Sequence, residues 1–361
     1  MPRLSIIIPV HNRAELLPET LNSVRAQTFS EWECVVIDDH STDESLSVAK
    51  RYAGLDHRFR VHQLGVGKRW ANAARNLGFA KSHGSYVIFL DSDDLLAAWC
   101  LQGRFEAMQQ HGELDFAVFS LEVFKTSPGD TGMLFNVDNG TSPIDRLLQL
   151  DYPFGNPAVI WRRQALIRLG PWDENLRRWQ DWEYHIRALS MGLEFERFPL
   201  VDAYVRKGDP RRGKGTPAAI WKDREYLGAT EKLFLKVENT LSGAGKLSRR
   251  RRLAMAGLHF RLAECLLSLL LPKEATRIWR EAYHRQLVGE VLYLQGLTLL
   301  SLRRLRYVRY IVKKYILPTW KTRHCLSFES PTYCQVRLPI TAQARARPSS
   351  SQAPFALSKF T

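Results

Sequence analysis

Over the first quarter of the chain, apolar residues come in short unbroken runs separated by stretches of helical spacing. Leu4–Val10, Glu33–Ile37 and Tyr86–Leu90 are runs of this kind, and a shorter one lies near Arg60–Gln63. Between them, Ala14–Gln27, Asp43–Ala53 and Trp70–Lys81 carry the periodicity of helices, with Ser41 or Thr42 placed to cap the second. Strands that are apolar throughout, rather than at alternate positions, belong to a parallel sheet covered on both faces. Alternation of such strands with helices predicts an α/β, doubly wound, mostly parallel sheet flanked by helices. Farther on the pattern predicts a strand at Phe116–Phe124, a Gly/Pro/Asp-rich loop at 127–143, a strand near Ala158–Trp161 and a helix starting near Gln180.

From about residue 218 the character changes to helix dense in Arg and Lys. Leu258–Arg285 reads as a single helical hairpin. Leu302, Leu305, Val308, Val312, Tyr315 and Ile316 fall on one helical face, opposite Arg303, Arg306, Lys313 and Lys314. The expected organisation is an α/β unit over 1–217, a basic helical region over 218–317, and a largely disordered Pro/Ser/Gln/Ala-rich tail over 318–361.

Charge follows the same division. The chain has a net charge of +15, but residues 1–205 hold 21 Lys and Arg against 27 Asp and Glu, a net of −6. The remainder holds 31 against 10, a net of +21. A basic half of this kind faces nucleic acid, anionic lipid or a phosphorylated substrate. Neither zinc-finger spacing nor an aromatic RNA-binding signature accompanies it, which sets nucleic acid aside in favour of an anionic membrane surface or carrier. The five cysteines are odd in number and scattered, with no C-x-x-C, so neither a disulfide framework nor a zinc site is expected. Cys34 reads as a small buried hydrophobe. With no signal-like leader and no apolar run near 18 residues, the expected location is cytoplasmic, at most peripheral on the inner face of a membrane.

Acidic residues gather in four clusters: VIDDHSTD at 36–43, IFLDSDD at 88–94, WDE at 172–174 and RRWQDWE at 177–183. The second is the most telling. The buried run Ile88–Leu90 empties into Asp91, Ser92, Asp93 and Asp94, and carboxylates crowded at such a strand end repel one another and desolvate badly. A divalent cation makes the arrangement favourable, since Mg²⁺ and Mn²⁺ take carboxylate oxygen together with substrate phosphate. Asp38 and Asp39 end a second strand at the same edge, which is where ligands bind in open α/β sheets.

These pieces, with SIIIPVHN at 5–12, ARN at 74–76 and LGPWDE…QDWE at 169–183, stand in the order and spacing of a known family. The chain resembles the family 2 glycosyltransferases, with their GT-A fold, over roughly residues 3–206. The resemblance implies a nucleotide-sugar donor lying across the strand ends. Pro9 and His11 would line the base pocket, and Asp39 would accept a hydrogen bond from a base, typically uracil, whose N3–H suits a carboxylate. Asp91 would reach the ribose or a metal-bound water, and Asp93 would hold Mg²⁺ or Mn²⁺ at the diphosphate. Arg75 would steady that loop or the phosphates. Asp181 would be the general base that takes the proton from the acceptor hydroxyl, giving a single displacement with inversion. Trp179 and Trp182 flank it as possible contacts for a glycan or lipid-linked sugar acceptor. Two departures stand out. The acid pair before the base has become Gln180–Asp181, and YVRKGDPRRGKG at 204–215 lacks a His often found there, which leaves Arg206, Lys207, Arg211 and Arg212 as candidates to close over the diphosphate.

Other readings have weaker support. Asp38 suits a turn role, Asp94 a cap or loop role, and Trp182 suits core packing as well as it suits an acceptor. GVGKR at 65–69 lacks P-loop spacing. A sugar-phosphate nucleotidyltransferase would need a glycine-rich loop after the first strand, and PVHNRAELL at 9–17 contains no glycine. An inactive, nucleotide-holding module of a membrane-associated assembly is opposed only by the intact Asp91, Asp93 and Asp181.

Overall fold

The computed structural model describes residues 2–212, 223–302 and 316–323. Its first part is the expected alternation: β1 (Leu4–Val10), α1 (Leu17–Arg25), β2 (Trp32–Asp38), α2 (Ser45–Leu55), β3 (Phe59–Gln63), α3 (Trp70–Lys81) and β4 (Tyr86–Phe89). Every residue of β1, β2 and β4 is buried, as continuous apolar runs require. The four strands pair in parallel in the order β3-β2-β1-β4, with Ile7 level with Val35 and Phe89. Their carboxyl ends therefore lie along one edge.

Beyond β4 the sheet becomes mixed. Next along the chain come β5 (Leu95–Leu96), α4 (Cys100–Gln110), β6 (Phe116–Phe124), β7 (Met133–Leu134), α5 (Pro143–Leu148), β8 (Val159–Arg162), α6 (Arg163–Leu169), α7 (Gln180–Ser190) and β9 (Phe195–Arg206). The sheet continues β4-β8-β6-β9-β5, with β8 antiparallel to both neighbours, β9 parallel to β6 and β7 paired to β6. One buried ion pair locks this half. Arg104 of α4 and Asp202 of β9 are both fully buried and joined by two hydrogen bonds of 2.7 and 2.6 Å. Removing one partner strands the other charge, so Arg104→Met is expected to lower stability by about 3–5 kcal/mol, a drop in melting temperature of order 5–10 °C. A shift within 1–2 °C, roughly, in a melting scan would contradict this.

Among the described residues there follow α8 (Arg224–Gly243), α9 (Arg249–Ser268), α10 (Pro272–His284), α11 (Glu290–Leu302) and a short α12 (Leu317–Arg323). The expected hairpin is α9–α10. These helices share one continuous apolar core with the sheet: Leu227, Phe234 and Phe260 belong to the same cluster as Ile7 and Phe116. Lys321 pairs with Glu264, and Trp320 donates to Gln295 at 3.0 Å, so α12 is tied to α9 and α11. Of the expected basic amphipathic face, only Leu302 and Ile316 fall within the described residues; 303–315 and the tail 324–361 lie outside them. Among the described residues no helix is long and apolar enough to cross a membrane.

The expected caps of α2 are corrected. Asp43 accepts from the Ser45 N–H and hydroxyl at 3.0 and 2.5 Å, whereas the Ser41 hydroxyl accepts from Asn12 N and Thr42 N donates to Asn12 Oδ1. Ser41 and Thr42 thus tie the loop after β2 to the loop after β1. Cys34 and Cys100 are buried thiols whose pKa values burial pushes up.

Candidate functional site

Where β1, β2 and β4 end, a cleft of about 250 Å³ opens, lined by Pro9, Val10, His11, Arg13, Asp39, Ala71, Arg75, Asp91, Ser92, Asp93 and Gln180. Six residues singled out from the sequence, Pro9, His11, Asp39, Arg75, Asp91 and Asp93, meet there. They come from the ends of three strands and from α3, which explains why a parallel order is needed to assemble them.

The walls are held by local bonds. The His11 ring donates from Nδ1 to the Asp39 carbonyl at 2.6 Å, joining the β1 and β2 ends. Asp39 is buried, and its Oδ2 accepts from the Trp70 backbone N–H at 2.8 Å. Asp39 therefore caps α3, whose favourable N-terminal dipole a carboxylate suits. Asp38 takes the turn role expected of it, accepting from Ser41 N at 3.3 Å.

The three acids after β4 have separate surroundings. Asp91 accepts from Arg75 Nη2 at 2.9 Å. Asp93 is 3% exposed, and its Oδ2 lies 3.6 Å from Arg13 Nε. Asp94 turns away from the cleft to accept from the Arg206 backbone N–H at 2.8 Å. Burial, reinforced by Asp93 and Asp91, raises its pKa well above the ordinary carboxylate range. Of these three acids, Asp91 and Asp93 remain in the cleft as hard carboxylate donors. Among the described residues no set of three His, Cys, Asp or Glu converges as a protein-only metal site. Two carboxylates fit a Mg²⁺- or Mn²⁺-like ion that completes its shell with phosphate oxygens and water, as such ions commonly do.

Asp181 stands beside the cleft at the start of α7. About a third of its side chain is open, at 34% exposure, but Oδ1 is shut off from solvent, facing Arg75 Nη1 at 4.0 Å. Burial raises its pKa; the Arg75 charge opposes that, Asp91 adds to it, and the Asn156 side chain lowers it. Arg75, itself buried, spans the two acids. It donates to Asp91 and to Asn72 Oδ1, and its guanidinium lies 4.8 Å from the Trp172 ring centre. One arginine thus sits between the strand-end acids and Asp181.

Some expectations change. Trp182 is fully buried, with its indole N–H on the Leu147 carbonyl at 2.6 Å, so it packs the core and offers no face to an acceptor. Trp179 is partly open, at the rim of a small hollow with Arg177, Arg178 and Tyr226. Arg206 does not close over the cleft. It is fully buried behind it, donating to the Asp93 carbonyl at 2.8 Å and to Glu19 and Asp209 at 2.5 and 3.2 Å. Arg211 is held by Glu19 and Asp209, both at 2.7 Å. Lys207 lies 5.6 Å from the Phe135 ring centre but stays within electrostatic reach of Asp94 and Asp181. The side chain of Arg212 lies outside the described residues. Arg13 and Asn156 were missed. Arg13 stands only two positions after His11, and that closeness was the available signal; nothing in the sequence around Asn156 marks it.

Comparison with known proteins bears on the family and the fold. Residues 5–174 match the model of glycosyl transferase family 2. A PGL/p-HBAD biosynthesis glycosyltransferase of Mycobacterium bovis is 30% identical over 190 residues, which is 52% of this chain and 70% of that protein. A poly(ribitol-phosphate) β-N-acetylglucosaminyltransferase, TarP of Staphylococcus aureus, is 44% identical over 100 residues, 27% of this chain and 30% of that one. Among solved structures, S. aureus TarS 1–349 in complex with UDP-GlcNAc superposes with a TM-score of 0.53 at 17% identity, covering 84% of this chain and 91% of that one. The chain belongs to glycosyltransferase family 2, and its fold is of the GT-A type.

Proposed function

We propose that this glycosyltransferase moves a sugar from a UDP-sugar to a hydroxyl of a glycan or lipid-linked acceptor, with inversion at the anomeric carbon. The observation that carries the reading is the single cleft in which Pro9, His11, Asp39, Arg75, Asp91 and Asp93 meet, with Asp181 on its border. Pro9 and His11 form the wall for the base. Asp39 spends Oδ2 on α3 and presents its remaining oxygen to the uracil N3–H, a contact that penalises bases lacking that donor.

Asp93, with Asp91, would hold Mg²⁺ or Mn²⁺, which when bound neutralises the charge that develops on the departing diphosphate. Arg13, beside Asp93, offers a second positive charge to the same phosphates. Asp181 accepts the proton of the attacking hydroxyl. Burial raises its pKa above the ordinary aspartate range, which makes it a stronger base than an open aspartate. With Asp181 assigned as base and Asp91 and Asp93 to the cation, a single in-line displacement is favoured over a double one.

The relative named as a poly(ribitol-phosphate) β-N-acetylglucosaminyltransferase supports a polymeric acceptor. The +21 charge of the second half suits an anionic carrier or an anionic membrane surface. The test is release of nucleotide from a panel of UDP-, GDP- and dTDP-sugars in the presence of Mn²⁺, with water as the default acceptor. Slow UDP release from one or a few UDP-sugars is expected. Release from GDP-sugars alone would keep the reaction class and remove the Asp39–uracil contact.

A further inference from the structure

The residue two places before Asp181 carries a backbone outlier. Trp179 has φ 62° and ψ 18°, the left-handed region that costs a bulky residue energy and persists only where surroundings enforce it. This conformation ends the loop 170–179 and launches α7, so it sets where Gln180 and Asp181 point. Its side chain is held from outside the sheet. The Trp179 indole donates from Nε1 to the Tyr226 hydroxyl at 2.6 Å, and its ring meets Phe234 edge-on with centres 5.8 Å apart. Both partners belong to α8. The same helix grips the segment on either side of the turn: Lys236 bonds Asp173 at 2.7 Å and pairs with Glu183 at 3.0 Å.

We infer that Tyr226 is a positioning residue for the general base, holding Trp179 in its left-handed turn so that Asp181 faces the cleft. Through this contact the helical region has a part in the chemistry. This rests on the assignment of Asp181 as base. The energetic reasoning is simple. A strained turn relaxes when a restraint on it goes, and a lost hydrogen bond of this kind is worth about fivefold to tenfold in a rate that depends on the geometry it keeps.

Tyr226→Phe removes only the hydroxyl. Expected are a fall in kcat for UDP release of about fivefold to tenfold, UDP binding within about twofold of wild type, and a melting temperature within about 2 °C. Trp179→Phe removes the other half of the bond. If both act through it, the double variant loses little more than either single change. Unchanged kcat in Tyr226→Phe, or losses that multiply in the double variant, would overturn the inference. So would a kcat loss accompanied by an equal loss of UDP binding, because that would mark a general structural role. A readout independent of turnover separates this inference from the assignment it rests on. In Tyr226→Phe, the Trp179 indole N–H resonance and the Gln180 and Asp181 amide resonances shift together. If Gln180 and Asp181 stay in place, the inference fails even where the enzyme is active. If they move while Asp181→Asn leaves the rate intact, it is the identity of the base that fails.

Discussion

Replacing Asp181 with asparagine is expected to slow sugar transfer by about 10³-fold while leaving UDP affinity within about twofold. The substitution keeps the size of the side chain and removes its charge and its ability to take a proton, so the loss falls on kcat. The pH dependence has a definite sign. Burial raises the pKa of Asp181, and the base must be ionised to work, so the acid limb of kcat/KM lies above the ordinary aspartate range of about 3.9. Stability moves the other way. A carboxyl with a raised pKa holds its proton more tightly folded than unfolded. Its contribution is therefore greatest at low pH and is lost as pH rises through the folded-state value. Asp181→Asn removes that cost, and the variant is expected to melt slightly higher at neutral pH while being nearly inactive, as a residue kept for function at the expense of stability should behave. Stopped assays of UDP release from pH 4 to 9 with matched melting scans check both parts. A variant retaining more than about a tenth of the activity would exclude Asp181 as the base.

Asp93→Ala is expected to abolish the part of nucleotide binding that needs a cation. In wild type, UDP with Mn²⁺ at about 100 times the dissociation constant adds about 2.7 kcal/mol, a thermal shift of several degrees. In the variant the shift with Mn²⁺ should shrink to whatever UDP gives without it, because Asp91 alone, already paired with Arg75, is a poor single anchor. Removing Asp93 also frees Arg13, so residual metal-free UDP binding is expected to be kept or slightly strengthened. Thermal shift against UDP with and without Mn²⁺ separates the two terms. A full Mn²⁺-dependent shift in Asp93→Ala would place the cation elsewhere.

Much of this was legible in the sequence, for a physical reason. β1, β2 and β4 are buried on both faces and so are written as unbroken apolar runs, and their bounds were read almost to the residue. The acids that follow them had to lie at one edge once the strands were parallel. β9 was hidden because FERFPLVDAYVR mixes charges and a proline into a strand whose burial is partial at one end, and because Asp202 is buried only by virtue of Arg104, far away in sequence. The basic loop misled for a related reason. Arg206 looks like a phosphate ligand by composition, yet two carboxylates, Glu19 and Asp209, and the Asp93 carbonyl draw it behind the cleft. Asn156 and Tyr226 act through contacts between segments remote in the chain, and no local pattern marks either. The region after residue 218 was read as basic helix, but the packing of α8 onto α7 and the shared core could not be read from its charge.

The most direct measurement is a calorimetric titration of the full chain with UDP, with and without Mn²⁺, alongside GDP under the same conditions. The account predicts saturable UDP binding that strengthens with Mn²⁺ and exceeds GDP binding. A folded protein that binds neither nucleotide, or that prefers GDP, would contradict the donor site described here.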